Sequence, residues 1–257
     1  MVKIIFSDFD HTMLDYYSKD NYFDDYKIGV LKKVQEMGIK FCIVTGRSVS
    51  FFFQFPNLLE VIDYIAGSNG ACIYDVKAKK FLYHDVIYSK ELNDIIQHFI
   101  SCNYYFLLNC KDKRYKYGTW DGTDCLDYQD NCQYFCEQLI VKVKENCFDE
   151  LFSFLEQFDD IRINNMNHWN DYWTIDINKG NISKGKAVSW LCNYLDIDLE
   201  KSIAFGDGDN DKSMFEVVNK GISVLNANDK LKVLSNDLAL ECKDNGIYKY
   251  IDDNILK

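Results

Sequence analysis

The stretch Ser7-Asp8-Phe9-Asp10-His11-Thr12 decides how the rest of this 257-residue chain is understood. It follows Ile4-Ile5-Phe6, a short apolar run of the kind that forms a buried parallel strand. Two carboxylates, Asp8 and Asp10, therefore stand at that strand's C-terminal end, the edge where open α/β sheets bind their ligands, and Thr12 closes the turn. Acidic groups so close repel one another unless they share a cation or a proton. A turn in which Asp, Ser and Thr side chains bond their own backbone accounts for the hexapeptide equally well. Only the rest of the chain separates the two.

Downstream, Asp25 to Met37 carries Tyr26, Val30, Leu31, Val34 and Met37 at helical spacing, and Gly38 stops it. Ile39 to Val44 is expected to be a second buried strand, ending in Thr45-Gly46-Arg47-Ser48. A hydroxyl and backbone N–H groups ahead of a helix starting at Ser48 suit an anion; a plain turn capped by Ser48 fits the same residues. A third run, Tyr64 to Ala66, leads into Gly67-Ser68-Asn69-Gly70-Ala71, where Gly70 tolerates a left-handed backbone. Much later, Ser202 to Phe205 leads into Gly206-Asp207-Gly208-Asp209-Asn210-Asp211, with a helix expected around Met214, Phe215 and Val218. Two familiar loops fail here. An EF-hand needs Gly where Lys212 stands and Glu where Val218 stands, and a dinucleotide fingerprint needs Gly where Asp211 stands. A helix is expected to follow Ile182-Ser183-Lys184-Gly185-Lys186 and to reach about Leu195, with Ala187, Val188, Leu191 and Leu195 on one face.

Between these segments the pattern changes. Short strand-like runs at Tyr104 to Asn109, Arg114 to Tyr117, Leu139 to Lys144, Ile161 to Asn165 and Tyr172 to Ile177 alternate apolar and polar residues. Helical patterns at Glu91 to Ile100 and Phe148 to Phe158 are interleaved with them, and Tyr117 to Glu137 is expected to be loop. The expected organisation is an α/β core built from residues 1–81 and 183–257, interrupted by an α+β module at 82–182.

A net charge of -11 argues against a nucleic-acid partner, which calls for a basic face. The ten cysteines are spread along the chain, and Cys42 and Cys72 lie inside apolar runs, which fits reduced thiols better than a disulfide scaffold. Cys125, Cys132 and Cys136 lack the C-x-x-C pairing of a zinc site. The first residues reach an acid too soon for a signal peptide, and no apolar run approaches the roughly 20 residues that span a bilayer. A cytoplasmic protein without a membrane partner is expected.

Asp8-Phe9-Asp10-His11-Thr12, Thr45-Gly46-Arg47, Lys184 before its helix and Gly206-Asp207-Gly208-Asp209-Asn210-Asp211 resemble, in order and spacing, the four motifs of the haloacid dehalogenase superfamily. Ser68-Asn69-Gly70-Ala71, Asn226-Ala227-Asn228 and Asp244-Asn245-Gly246-Ile247 further resemble its Cof-type phosphatases, which carry a large α/β cap. The resemblance covers the entire chain. It implies a Rossmann-like parallel-sheet core with an inserted α+β cap domain, and a Mg²⁺-dependent phosphatase of small phosphorylated metabolites such as sugar phosphates. By the same resemblance Asp8 is the nucleophile that becomes an aspartyl-phosphate. Asp10 is the general acid and base whose backbone carbonyl faces the metal. Asp207 is a further Mg²⁺ ligand, Asp211 orients the ligand shell, Asn210 reaches the phosphate side, and Thr45, Gly46 and Lys184 hold phosphoryl oxygens. Carboxylates so gathered would be partly repelled or protonated without their ion. The family usually has glycine where His11 stands, so His11, with Arg47, is a position where substrate preference could differ. A phosphomutase or phosphotransferase of the phosphomannomutase type is the alternative activity, and a non-enzymatic metal- or phosphosugar-binding protein a third class.

For the cap, period-two alternation assigns Ile161, Ile163, Trp173, Ile175 and Ile177 to a helix-covered face. Arg162, Asn164, Thr174 and Asp176 fall on the open face, with Lys142, Lys144 and either Arg114 and Lys116 or their tyrosine neighbours. A polar face bearing cations suits a lid over an anionic substrate.

Overall fold

Ile4, Ile5 and Phe6 are wholly buried in the first strand, β1 (Ile4–Ser7). A strand with no solvent face needs a layer on each side of its sheet. The computed structural model describes residues 1–15, 22–111, 113–119, 125–130 and 132–257, and of Asn165 the backbone alone. After β1 come α1 (Asp25–Glu36), β2 (Lys40–Val44), α2 (Pro56–Val61), β3 (Tyr64–Gly67), β4 (Cys72–Asp75) and β5 (Lys80–His84). The chain then builds α3 (Ser89–Ser101), β6 (Tyr105–Cys110), β7 (Lys113–Tyr117), β8 (Leu126–Asp127), β9 (Gln138–Lys144), α4 (Phe148–Leu155), β10 (Ile161–Trp169) and β11 (Tyr172–Lys179). It closes with α5 (Lys184–Tyr194), β12 (Ser202–Gly206), α6 (Lys212–Phe215), β13 (Lys220–Val224), α7 (Asp229–Leu234), β14 (Asp237–Ala239) and α8 (Gly246–Asn254).

Two sheets result. The first runs β14-β13-β12-β1-β2-β3-β4-β5, parallel from β14 to β3, with β4 and β5 added antiparallel. Helices form two groups around it, α1 with α2 and α8, and α5 with α6 and α7. The second sheet, β10-β11-β9-β6-β7-β8, is antiparallel except for the short β7–β8 pair. Each sheet has its own hydrophobic cluster, so the molecule is a parallel core with an α+β cap inserted into it. Lys80–His84 pairs with β4, so the core sheet claims a strand that straddles the expected division at 81/82.

Local chemistry explains the element ends. Asp24 accepts a hydrogen bond from Lys27 N at the start of α1, and Gly38, at φ +72°, turns the chain after it. Ser183 likewise caps α5 by accepting from Lys186 N. Ser48, expected as a cap, makes no such bond. A six-residue 3₁₀ segment, Val49–Gln54, follows it, and Ser48 Oγ lies 3.0 Å from Ser50 Oγ instead. The expected helix through Val218 is only the four-residue α6, because the chain must turn at once into β13. Within Tyr117 to Glu137 the two-residue β8 interrupts the expected loop, and 120–124 and 131 fall outside the described residues.

In the cap, Ile175 and Ile177 are wholly buried against α3 and α4, with Ile161, Ile163 and Trp173 packed beside them. Tyr115 and Tyr117 also join this cluster, so Arg114 and Lys116 take the other face. A β-bulge between Ile163 and Asn165 breaks the alternation of β10 and frees Asn164 to bond Asn178 Oδ1 at 2.9 Å.

Candidate active site

Parallel register brings the sequence motifs to one edge. Ser7 lies opposite Ile43 of β2 and Phe205 of β12, and Val44 opposite Ala66 of β3. Asp8, Thr45, Gly67 and Asp207 therefore leave the sheet side by side. Asp8 N donates to the Phe205 carbonyl, Thr45 N to that of Ala66, and Asn69 N to that of Thr45, which fixes these turns to one another.

Asp8, Thr45, Lys184 and Asp211 are buried, and Asp207 is half-buried. Lys184 Nζ donates to Asp8 Oδ1 (2.5 Å) and to Asp211 Oδ1 (2.6 Å). The other Asp211 oxygen accepts from the N–H groups of Asp207 and Gly208, both at 2.9 Å. Asp211 is thus wholly engaged in holding the loop and the lysine. Thr12 Oγ1 donates to Asp207 Oδ1 at 3.0 Å, tying the opening turn to the last motif. Lys184 reaches this point because Gly185 lets α5 press onto α6, the helix that follows the acidic loop after β12. A Cβ there would fall 2.0 Å from the Ser213 carbonyl oxygen.

The charge balance is strained. Burial, only partly offset by Lys184, pushes the Asp8 carboxyl well above the usual carboxylate range, and Asp211, Asp207 and Asp10 push the same way. Asp207 is raised by burial and by Asp211, against the hydrogen bonds and charges of Asp8, Lys184 and Thr12. Burial alone would lower Lys184, yet Asp211 and Asp8 outweigh it and hold the ammonium above its ordinary value. Carboxylate oxygens of Asp8, Asp207 and Asp211 lie within 4.8 Å of one another. An all-oxygen, anionic donor set of this kind fits a hard divalent cation, which would reverse the pressure toward protonation.

Asp10 stands apart from that group. Arg47 Nη2 donates to its Oδ1 at 2.8 Å, and Arg47 Nε reaches both oxygens at 3.1 and 3.2 Å, while the guanidinium rests on the Phe51 ring, 4.7 Å from its centroid. Asp10 and Arg47 are therefore partners. His11 has φ +60°, a left-handed conformation that glycine adopts without strain. Its carbonyl accepts from Asn226 Nδ2 at 2.9 Å and its side chain is exposed.

The cap comes down over this edge. Asp176 lies on the face assigned to it, but that face is not open here: the side chain is buried against the core. A Cβ on Gly46 would lie 3.5 Å from Asp176 Oδ2. Burial raises the Asp176 carboxyl to about 6, against the pull of Asn69, Arg47 and Lys184. Thr174 and Asn164 are half-buried, whereas Arg162 is exposed, opposite Asn178. Lys142 sits over the Tyr172 ring, 4.8 Å from its centroid. Asn69 and Asn178, both wholly buried, were not among the expected site residues. Asn69 bonds Asp176 and Asn178, and its Oδ1 accepts from Asn210 Nδ2 at 3.2 Å, so Asn210 points toward the cap junction. The Asn69-Gly70 pair, a sequence signature of a left-handed turn, is the signal that points to it, and both residues have positive φ.

Comparison with known proteins agrees with this architecture. A model of the haloacid dehalogenase-like hydrolases matches residues 5–251. Phosphatase YwpJ of Bacillus subtilis is 24% identical, over 96% of this chain and 97% of its own. The phosphoglycolate phosphatase of Methanobrevibacter smithii is 25% identical over 88% of each. A crystal structure of a haloacid dehalogenase-like hydrolase from Bacteroides thetaiotaomicron superposes with a TM-score of 0.84 at 19% identity, covering 98% of this chain and 99% of that one.

Proposed function

The chain belongs to the haloacid dehalogenase-like hydrolases, and from that premise we propose that it is a Mg²⁺-dependent phosphatase of small phosphorylated metabolites, sugar phosphates or similar monoesters. One observation carries the proposal. A buried aspartate at a parallel-strand end is bonded to a buried lysine and lies within a carboxylate cluster suited to a divalent ion.

In this mechanism an Asp8 oxygen attacks phosphorus and the ester P–O bond breaks, leaving an aspartyl-phosphate. Lys184 and Thr45 face the phosphoryl oxygens and offset their charge. Asp10 gives its proton to the departing oxygen, then takes one from the water that attacks the phosphoryl group and frees Asp8. Both Asp10 oxygens are bonded to Arg47 in this structure, so proton donation requires the guanidinium to release at least one of them. Mg²⁺ would be held by Asp8, Asp207 and the Asp10 carbonyl, with Asp211 steadying the loop, and supplies charge neutralisation to the phosphate. The setting we propose is the cytoplasm, where ten free cysteines stay reduced; among the described residues no helix is long and apolar enough to cross a membrane.

A panel of phosphorylated metabolites assayed for free phosphate tests the proposal. We expect release with Mg²⁺, loss on chelation by EDTA and recovery on adding Mg²⁺ back. Full turnover in chelator would remove the metal, and an isomerised sugar phosphate in place of free phosphate would identify a mutase.

A further inference from the structure

Asn69 sits where three parts of the molecule meet. Its N–H donates to the Thr45 carbonyl at 2.8 Å, in the phosphate-side turn of the core. Its Oδ1 accepts from Asn210, in the acidic loop after β12. Its Nδ2 reaches Asp176 Oδ2 and Asn178 Oδ1 on the cap strand β11, each at 3.4 Å. An amide alone offers an acceptor on one side and donors on the other, which is what these neighbours ask for. The backbone suits the residue as well, since φ +58° is a left-handed value that Asn accepts more readily than most side chains.

Both ends of this bridge are held firmly. Gly70, at φ +95°, packs so close to α5 that a Cβ would lie 2.6 Å from the Ser183 carbonyl oxygen, one residue before Lys184. On the cap side Asn178 Nδ2 donates to the Ser68 carbonyl (2.9 Å) and the Glu137 carbonyl (2.8 Å). Ser68 Oγ donates to Glu137 Oε2 at 3.2 Å, and Glu137 is wholly buried. Polar groups withdrawn from water to this degree are costly to leave unpaired, so a change at Asn69 is felt by all its partners.

We infer that Asn69 is a positioning residue that seats cap strand β11 on the core and, through the same amide, holds Asn210, giving the cap's polar face and the phosphate-side loop a single relative placement. The catalytic consequence rests on the phosphatase proposed above; the structural one does not. Because core and cap have separate hydrophobic clusters, losing the bridge loosens their junction without unfolding either.

The test is a reciprocal exchange. Asn69→Asp sets a carboxylate against Asp176, and at alkaline pH the two repel. Adding Asp176→Asn restores a donor facing an acceptor, in the reverse sense. By hydrogen–deuterium exchange we expect the amides of β11 and of 68–70 to open about tenfold or more faster in N69D, and kcat/KM on the best ester of the panel to fall by a similar factor. In N69D/D176N part of both effects should be recovered, since the pair with residue 176 is remade while the contact to Asn178 Oδ1 is not. Unchanged exchange in N69D, or a double variant no better than the single one, would overturn the inference. If N69D does not fold by circular dichroism, Asn69→Ala takes its place: faster exchange confined to the junction supports the role, and wild-type exchange refutes it. If the wild-type protein releases phosphate from no ester, the phosphatase proposal fails while the exchange data still decide the role of Asn69.

Discussion

The two sheets present their candidate site residues differently. In the core, Asp8, Thr45 and Asp207 stand one residue beyond parallel strands. In the cap, Thr174, Asp176 and Asn178 lie within β11. A strand-end residue is placed by its own turn and by the neighbouring strand in register, both of which are local properties. A mid-strand residue has a face assigned by alternation, but what covers that face depends on another part of the molecule. Asp176 was assigned to a polar open face and is buried under the core, while Arg162 on the same face is exposed. Residues of the first kind are expected to carry chemistry and those of the second kind placement and selectivity, a contrast that substitutions can break or sharpen.

The largest effects belong at the core edge. Asp8→Asn removes the only proposed nucleophile, so phosphate release should vanish while circular dichroism stays that of the native fold. Asp10→Asn should cost roughly 10²–10⁴ in kcat, the usual worth of general acid–base catalysis. Substantial turnover by the Asp8 variant would break the contrast at its strongest point.

A smaller effect, of a different kind, belongs to Asp176. Its carboxyl lies at about 6 in the folded protein, against 3.8 ordinarily, because burial disfavours the charge. The folded state therefore binds a proton more tightly than the unfolded one. Stability from this group is complete below about pH 4 and is lost as pH rises through 6, a difference on the order of 3 kcal/mol. Asp176→Asn, which cannot ionise, should thus be more stable than wild type near pH 8, and the gain should disappear by pH 4 in denaturant titrations. A gain independent of pH would mean that packing, not charge, is responsible.

The smallest effect is expected at Arg162. A contact remote from the reacting phosphorus contributes mostly to binding, so Arg162→Ala should raise KM for the preferred substrate several-fold with kcat little changed. A small generic ester that the cap does not grip should be indifferent. Equal losses on both substrates would place Arg162 with the core residues and blur the distinction.

Legibility in the sequence follows the same division. Apolar runs ending in Asp, Thr or Gly placed β1, β2, β3 and β12 within a residue or two, because a strand buried on both faces leaves little else for its side chains to be. Helix ends were clear where a glycine acts locally, as at Gly38, and unclear at Ser48 and Val218, where the next element decides where the helix stops. The bulge at Asn164 and the pairing of Arg47 with Asp10 have no local cause that could be read.

By itself the sequence determined a parallel α/β core interrupted by an α+β insert, and the acidic and hydroxyl groups at the C-terminal ends of its strands. These depend on hydrophobic period and turn chemistry, which act over a few residues. The tertiary structure alone decided that Lys184 sits between Asp8 and Asp211, that Thr12 holds Asp207, and that Asn69 joins Asn210 to Asp176 and Asn178. Each of these last contacts spans from 27 to 195 positions of chain. A hydrogen bond needs its partners within about 3.5 Å, and only the packed fold brings residues so distant in sequence to that range.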